Sequence, residues 1–167
     1  MLISSSLLLL FPVTASKSMG LGKPKMTNLE FYFHDTVSGR NPTAVPIAGP
    51  KAQFPNYFGT LVMMDDPLTE GPDIKSKAVG RAQGIYAKSD LETPCLTMAL
   101  NFVFYEDNST LSMLARNPFM EKVRPEMPII GGTGKFRMAK GLALPRTFSS
   151  NNKGDAVVHY NVTIFHY

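Results

Sequence analysis

The stretch Ile129–Ala143 reads IIGGTGKFRMAKGLA, and it is the most informative stretch of the chain for predicting its fold. Three glycines in its first half predict a sharp turn, because glycine adopts backbone angles that side chains forbid. The second half alternates in the manner of a β-strand, which would place Lys135 and Lys140 on opposite faces. Whichever lysine points into the fold is a candidate contact for a ligand.

Short apolar, β-branched and aromatic runs recur along the chain, and turn residues separate them. The runs predicted to be strands are residues 29–35, 57–65, 78–89, 95–107, 109–115, 135–144 and 156–167. The proline-containing segment Ser38–Asn56 is predicted to be a long loop, and Asp65–Asp73 a turn-rich connection. Strands at this spacing without intervening helices predict an antiparallel all-β domain. The pattern leaves a sandwich and a closed barrel both open, although closure would remove exposed edges.

The composition fits a single globular domain and argues against several functional classes. The chain has 167 residues, of which 44% are hydrophobic and 18% are charged. Its formal net charge of +4 comes from scattered lysines and arginines, so a nucleic-acid partner is not expected. The sequence has no zinc-ligand spacing, so no metal site is expected. It also has no nucleophile-elbow pattern. Cys95 is the single cysteine, and its apolar surroundings predict a buried thiol.

The N-terminus has most features of a secretory signal peptide. Residues 1–16 contain a short apolar core followed by small residues, although no basic residue precedes that core. A buried strand or a truncated gene model is the alternative interpretation. Residues 17–28 are then a flexible lead-in and 29–167 the globular domain, without a segment long enough to span a bilayer. Sequons at Asn108 and Asn161 are predicted glycosylation sites and agree with secretion.

Acidic and aromatic residues provide the first candidates for a ligand site. If Phe33 and Asp35 share the inner face of one strand, the carboxyl lies on an aromatic surface, where burial would raise its pKa. Asp35 can equally cap a turn at the end of the strand. Of the adjacent Asp65 and Asp66 only one can face a cavity, because neighbouring strand residues point to opposite faces. Tyr86 can hydrogen-bond and stack on a phenol, or can pack in the core.

Five motifs, taken in chain order, resemble those of the plant dirigent family. They are FYFHD (31–35), FGTLVMMDDPLT (58–69), VGRAQGIY (79–86), LARNP (114–118) and the glycine-rich stretch described above. The resemblance covers nearly everything from Leu29 to Tyr167. It implies a single domain folded as an eight-stranded antiparallel β-barrel of the dirigent and allene oxide cyclase type. It also implies assembly as a homotrimer, with a dimer as the alternative.

The resemblance implies a function as well. Dirigent proteins impart stereoselectivity on the coupling of two phenoxy radicals, for example from coniferyl alcohol to optically active lignans. A separate laccase or peroxidase supplies the radicals, so a phenolic substrate, no cofactor and an apoplastic location are expected. The residues assigned to catalysis are Asp35, Lys135 and Lys140, and those assigned to substrate binding are Phe33, Asp66 and Tyr86.

Two positions depart from the lignan-forming pattern, which reads like GGTGDFFMARG. Lys135 replaces the aspartate of that pattern, and Lys140 replaces its arginine, whose planar fork a lysine lacks. GGTGKFRMA resembles instead the branch that includes the pterocarpan synthases, lyases that dehydrate and cyclise an isoflavanol through a quinone methide. Three functions therefore stay open: a radical-coupling dirigent protein, which is favoured, such a lyase, and a non-catalytic barrel that binds phenolics in the cell wall.

Overall fold

The computed structural model describes residues 22–50, 57–121 and 124–167. Its strands are β1 (Lys25–Asp35), β2 (Ala44–Ala48), β3 (Leu61–Thr69), β4 (Ala78–Lys88), β5 (Leu96–Phe104), β6 (Thr110–Asn117), β7 (Met127–Thr133), β8 (Lys140–Ser150) and β9 (Ala156–His166). A single turn of 3-10 helix, Gly134–Phe136, lies between β7 and β8. Within these described ranges, no helix has the length and apolar character that crossing a membrane requires.

Eight of these strands close into a barrel. Their order around the barrel is β1-β9-β8-β7-β6-β5-β4-β3, and β3 pairs again with β1. All of these pairings are antiparallel. The additional strand, β2, pairs with β3. The expected eight-stranded antiparallel barrel in a single domain is therefore confirmed, with one extra strand attached to it.

Strand β3 changes its partner part-way along, and this change closes the barrel. Its first part pairs with β2 as far as Met64, and its last part pairs with β1 from Leu68 onward. Pro67 lies in the short stretch of β3 between the part that pairs with β2 and the part that pairs with β1. The N–H of Asp65 points to the β2 side, so an N–H two residues later would point into the gap between β2 and β1. A proline therefore fits there without losing a ladder hydrogen bond.

Inward-facing side chains from alternate strand positions fill the middle of the barrel. Phe31, Phe102 and Tyr160 pack there with ring centroids 5.0, 5.4 and 5.7 Å apart, and all three are fully buried. One end of the barrel is closed by Phe136, whose buried ring packs edge-on against Phe104 and His166, each at 5.5 Å. The opposite end is free to hold a cavity.

The stretch 129–143 folds differently from the prediction. Of the three clustered glycines only Gly134 has a positive φ, of 60°, because the first two continue β7. The chain then makes the 3-10 turn, and Met138 also has a positive φ, of 59°. Such a residue interrupts the alternation of a strand. As a result β8 begins only at Lys140, and the predicted strand from residue 135 is wrong.

Other boundaries also differ from those predicted, and the differences in β1, β2 and β3 have clear physical reasons or consequences. β1 begins at Lys25, inside the expected lead-in, because Lys25–Asn28 pair with β9. Within the expected loop, residues 44–48 form β2, whose Pro46 is tolerated at the edge of a sheet. β3 continues to Thr69, through the segment expected to be a turn. The predicted signal peptide, residues 1–16, lies outside the described residues.

Gly141 in β8 has no room for a side chain, since an added Cβ would lie 2.0 Å from the carbonyl oxygen of Thr163 on β9. We expect Gly141→Ala to lower the free energy of unfolding by about 1–3 kcal/mol, measured by urea denaturation. Gly131→Ala is the matched control, because an added Cβ there meets nothing within 4 Å. Equal stability of the two variants would contradict this register of β8 on β9.

Candidate functional site

A cavity of about 940 Å³ opens at the end of the barrel opposite Phe136, where β1 ends and β9 begins. Its wall is built from the ends of several strands and from the segments 117–121 and 150–154. Cavities that hold small organic molecules have volumes of roughly 300–1,000 Å³. This cavity is therefore large enough for one sizeable ligand or for two small aromatic ones.

The inner wall of the cavity is mainly aromatic and aliphatic. Phe33, Tyr86 and Tyr160 line it while being buried in the barrel, and Met98 and Val158 lie among them. The phenol of Tyr160 donates to Sδ of Met127 at 3.9 Å. Flat apolar walls with a few polar atoms are suited to planar aromatic ligands. The expectation that Phe33 and Tyr86 share this cavity agrees with the structure.

The charged residues of the cavity are mostly cationic. The cavity-lining cations are Lys88, Arg124, Arg146 and Lys153, and the cavity-lining acids are Asp35 and Glu121. Lys88 Nζ also lies 4.5 Å from the centroid of the Tyr57 ring. An excess of positive charge favours a ligand whose oxygen atoms carry negative charge, such as a phenolate.

The turn between β8 and β9 is held against the chain that follows β1. Oδ1 of Asp155 accepts hydrogen bonds from the backbone N–H groups of Val37 and Ser38, both at 2.9 Å. Its Oδ2 accepts from the Ser38 hydroxyl at 2.7 Å and from Asn151 Nδ2 at 2.8 Å. Because Val37 and Asn151 both line the cavity, these bonds fix the side of its mouth next to Asp35.

Asp35 is the acid on the cavity wall. It ends β1 on the same face as Phe33, as the sequence alternation predicts, and its Oδ1 is buried with no hydrogen-bond partner among the described residues. Burial raises its pKa to about 6, while interaction with the Tyr86 phenol lowers it and the charge of Asp155 raises it. A carboxyl with this pKa exchanges a proton near neutral pH, which suits general acid or base catalysis.

Asp66 lies on the inner face of β3 but does not line the cavity. Its side chain is 0% exposed, and its Oδ1 accepts a hydrogen bond from the Thr43 hydroxyl. Burial raises its pKa to about 7, and of the remaining influences the Thr43 bond lowers it and the charge of Asp35 raises it. The assignment of Asp66 as a substrate contact therefore needs correction, because protein atoms enclose the carboxyl.

The adjacent Asp65 is exposed and forms a surface ion pair with the Arg81 guanidinium.

The structure does not bring Lys135 or Lys140 to the cavity. Lys135 lies in the 3-10 turn, about half exposed, with its Nζ 3.6 Å from Glu106 Oε2. Lys140 opens β8 opposite Phe165, whereas Asp35 pairs with Ala156 at the other end of β9. Nine residues of strand separate these two points, which corresponds to roughly 30 Å. The expectation that both lysines act beside Asp35 therefore has no geometric support within this chain.

Other residues of the five motifs, and the two sequon asparagines, have structural partners or lie on the surface. His34 is buried and bonds the Thr69 hydroxyl at 2.6 Å. Arg116 pairs with Asp90 and Glu121 at the rim, each at 3.5 Å. Of the two sequon asparagines, Asn108 is exposed and Asn161 donates to Glu30 at 2.9 Å from within β9. The described residues contain no cluster of metal-ligating side chains.

Several cavity residues were not found from the sequence. Tyr160 lies on β9, in a run that was predicted to be a strand but whose inner face the sequence did not specify. Arg146 lies on β8, beyond residue 144, where the predicted strand ended. Thr43 lies outside the cavity lining but was also not found, because it immediately precedes β2, in a segment that was predicted to be a loop. Only the packing of that segment against β3 shows that its hydroxyl reaches a buried carboxyl.

Comparisons with known proteins agree with this architecture. The family model described as Dirigent-like protein matches residues 26–165. Dirigent protein 23 of Arabidopsis thaliana is 55% identical over 152 residues, covering 87% of this chain and 80% of that protein. Pterocarpan synthase 1 of Glycyrrhiza echinata is 46% identical, covering 89% and 82%. A solved structure of a pterocarpan synthase dirigent protein superimposes with a TM-score of 0.83, at 47% identity and covering 87% of each chain.

The raised pKa values of Asp35 and Asp66 predict how stability depends on pH. The folded protein keeps protons that the unfolded chain loses above a pKa of 3.8, so these two groups make folding less favourable as pH rises towards 7. We expect the free energy of unfolding of the wild type to fall more between pH 5 and pH 8 than that of Asp66→Asn, measured by urea denaturation. The same pH dependence in both proteins would contradict a raised pKa for Asp66.

Proposed function

This chain belongs to the dirigent protein family, and we propose that it directs the stereoselective coupling of two phenoxy radicals in the cavity at the end of its barrel. The observation that carries the proposal is a cavity of about 940 Å³ with aromatic walls and one acid of near-neutral pKa. Coniferyl alcohol is the proposed substrate, and an optically active lignan is the product.

The protein contributes orientation to this reaction. A laccase or peroxidase generates the radicals, and the cavity holds two planar rings so that one face of each is available for bond formation. The coupled product is a quinone methide. Its rings close when a hydroxyl of the substrate's own propenyl chain attacks the exocyclic carbon of the quinone methide. The attacking hydroxyl loses one proton and the quinone-methide oxygen gains one, so ring closure is neutral in protons. In the proposed reaction Asp35 assists this exchange, and the cavity cations favour the oxygen that carries negative charge.

A second function, a lyase of the pterocarpan synthase type, is favoured by the Asp35 carboxyl itself. Dehydration of an isoflavanol needs a proton for the departing hydroxyl, and a carboxyl with a pKa of about 6 supplies one near neutral pH. The C–O bond breaks and water leaves, while the phenol conjugated to that carbon loses its proton, so that a quinone methide forms. A second phenolic hydroxyl then adds to the same carbon; it loses its proton and the quinone-methide oxygen regains one. The pterocarpan synthase relatives add support. This reaction needs no oxidant, which separates it from radical coupling.

The proposed setting of the reaction is based on the N-terminal segment and the two sequons. We propose secretion to the apoplast, where laccases and peroxidases act on phenolics, with glycans at Asn108 and Asn161. The exposed position of Asn108 after β5 is compatible with a glycan. Assembly as a homotrimer is part of the same proposal, with a dimer as the alternative, and analytical ultracentrifugation distinguishes them.

The first prediction of this proposal concerns the product of coniferyl alcohol oxidation. With purified protein and a laccase we expect one lignan enantiomer in excess, whereas laccase alone gives a racemate, measured by chiral chromatography. A racemate from both reactions would contradict radical coupling. Conversion of an isoflavanol without oxidant would then establish the lyase, and binding of phenolics without any conversion would indicate a non-catalytic barrel.

The second prediction concerns Asp35, whose replacement by asparagine keeps the shape of the side chain but removes its acid. We expect Asp35→Asn to lower the rate of whichever reaction the protein performs by roughly 10²–10⁴-fold, the range of general acid–base catalysis. Asp65→Asn is the control, because it removes an exposed carboxylate on the outer face of β3. Full activity of Asp35→Asn would show that the cavity acts by orientation alone.

A further inference from the structure

Asp66 is a buried carboxyl next to the cavity that the reaction described so far does not use. Its side chain is 0% exposed, and it does not line the cavity. Arg81, the cation among the influences on its pKa, is engaged by Asp65 on the outer face of the barrel. Burial of an ionised carboxylate without a paired cation is strongly unfavourable, so the site favours the protonated form of Asp66.

Thr43 determines where that proton lies. The backbone of Thr43 bridges two strands, donating to the Thr36 carbonyl at 2.8 Å and accepting from the Asp65 N–H at 2.9 Å. Its hydroxyl oxygen accepts from the Thr36 N–H at 3.2 Å, and its hydroxyl hydrogen is donated to Oδ1 of Asp66. Because Oδ1 is thus an acceptor, a proton bound to Asp66 resides on Oδ2.

Asp35 is the carboxyl that faces this position from β1. β1 pairs with β3 through Phe33 and Leu68, and Asp35 follows Phe33 by two residues on the same inner face, as Asp66 precedes Leu68 by two. The charge of Asp35 is one of the influences that raise the pKa of Asp66. Oδ1 of Asp35 and Oδ2 of Asp66 are both buried, and neither has a hydrogen-bond partner in the described parts of the chain. Two carboxyls placed in this way do not ionise independently, and the pair keeps a proton that a single carboxyl would lose.

Among the described residues, no cation is an influence on the pKa of Asp35, and Arg81, which lowers that of Asp66, is engaged by Asp65. The titratable groups around the pair are Asp65 and Arg81 from the outer face, Tyr86 and Tyr160 from inside the barrel, Asp155 from the β8–β9 turn, and the cavity residues Lys88, Glu121, Arg124, Arg146 and Lys153. Burial and the nearby carboxylates raise the pKa of both tyrosines, so they remain neutral.

We propose that Asp66 is a positioning residue that holds a proton on Oδ2 for the cavity acid Asp35 and returns it when Asp35 is ionised. This inference rests on the proposed acid–base role of Asp35. In one round Asp35 gives its proton to a substrate oxygen and receives the proton of Asp66, and the attacking hydroxyl then returns one proton to the pair. No bond of Asp66 other than its O–H bond is made or broken.

The proposal is tested without any substrate by following the pair through a pH titration. In protein labelled with [¹³Cγ]aspartate, we expect the Asp35 and Asp66 resonances of the wild type to share two inflections between about pH 5 and pH 8, the range set by pKa values of about 6 and about 7. In Asp66→Asn, Asp35 should show a single inflection. An Asp35 curve that is the same in both proteins, or an Asp66 already ionised at pH 5, overturns the proposal.

Two further variants separate proton sharing from a general effect of mutation. Thr43→Val removes a hydrogen bond that favours ionised Asp66, so the midpoint of Asp66 should move to higher pH. Asp65→Asn removes a neighbouring charge on the outer face and should leave two shared inflections. Loss of the second inflection in Asp65→Asn would also overturn the proposal, because the coupling would then not belong to the buried pair.

The pH profile of activity gives the functional readout. In Asp66→Asn the alkaline limb of the rate or of the enantiomeric excess should move to lower pH, by up to about one unit. Asp35→Asn should keep its loss of roughly 10²–10⁴-fold at every pH. An unchanged limb in a folded Asp66→Asn protein overturns the role of Asp66. If the two shared inflections persist but no phenolic is converted, the proposed function fails while the proton-sharing pair stands.

Discussion

The barrel depends on the exchange of partners along β3. This strand leaves β2 after Met64 and joins β1 at Leu68, and Thr43 occupies the gap between the two partners. Without the second pairing, β1 and β3 would be open edges and the interior would be exposed to water. The exchange that closes the barrel also places Asp66 inside it, two residues before that junction. Closure of the fold and burial of a carboxyl beside the cavity therefore have the same structural origin.

The two ends of the barrel have different tasks. At one end Phe136 fills the interior, and the glycine-rich stretch before it allows the chain to turn sharply there. At the other end the strands enclose a cavity with aromatic walls, a cationic margin and the acid Asp35. The glycine-rich stretch thus lies at the closed end of the barrel, while the residues to which we assign the proposed chemistry lie at the open end.

The residue pattern predicted an antiparallel all-β domain, the resemblance to the dirigent family predicted the barrel, and the errors in the predicted positions have physical reasons. Alternation in FYFHD placed Phe33 and Asp35 on one face correctly, because β1 is regular there. Alternation failed between Lys135 and Lys140, because a positive φ at Met138 is not visible in the pattern. The depth of Asp66 and its bond to Thr43 depend on which strand β3 joins after Pro67, and only the closed barrel specifies that pairing.

The central claim is that Asp35 meets the reacting part of a phenolic ligand inside the cavity, and a crystal structure with a bound lignan or pterocarpan tests it most directly. The account predicts a ligand against Phe33 and Tyr86, with an ether oxygen formed in ring closure within about 3.2 Å of the Asp35 carboxyl. A ligand bound elsewhere on the barrel, or in the cavity with its ring-closing oxygen remote from Asp35, would contradict the account.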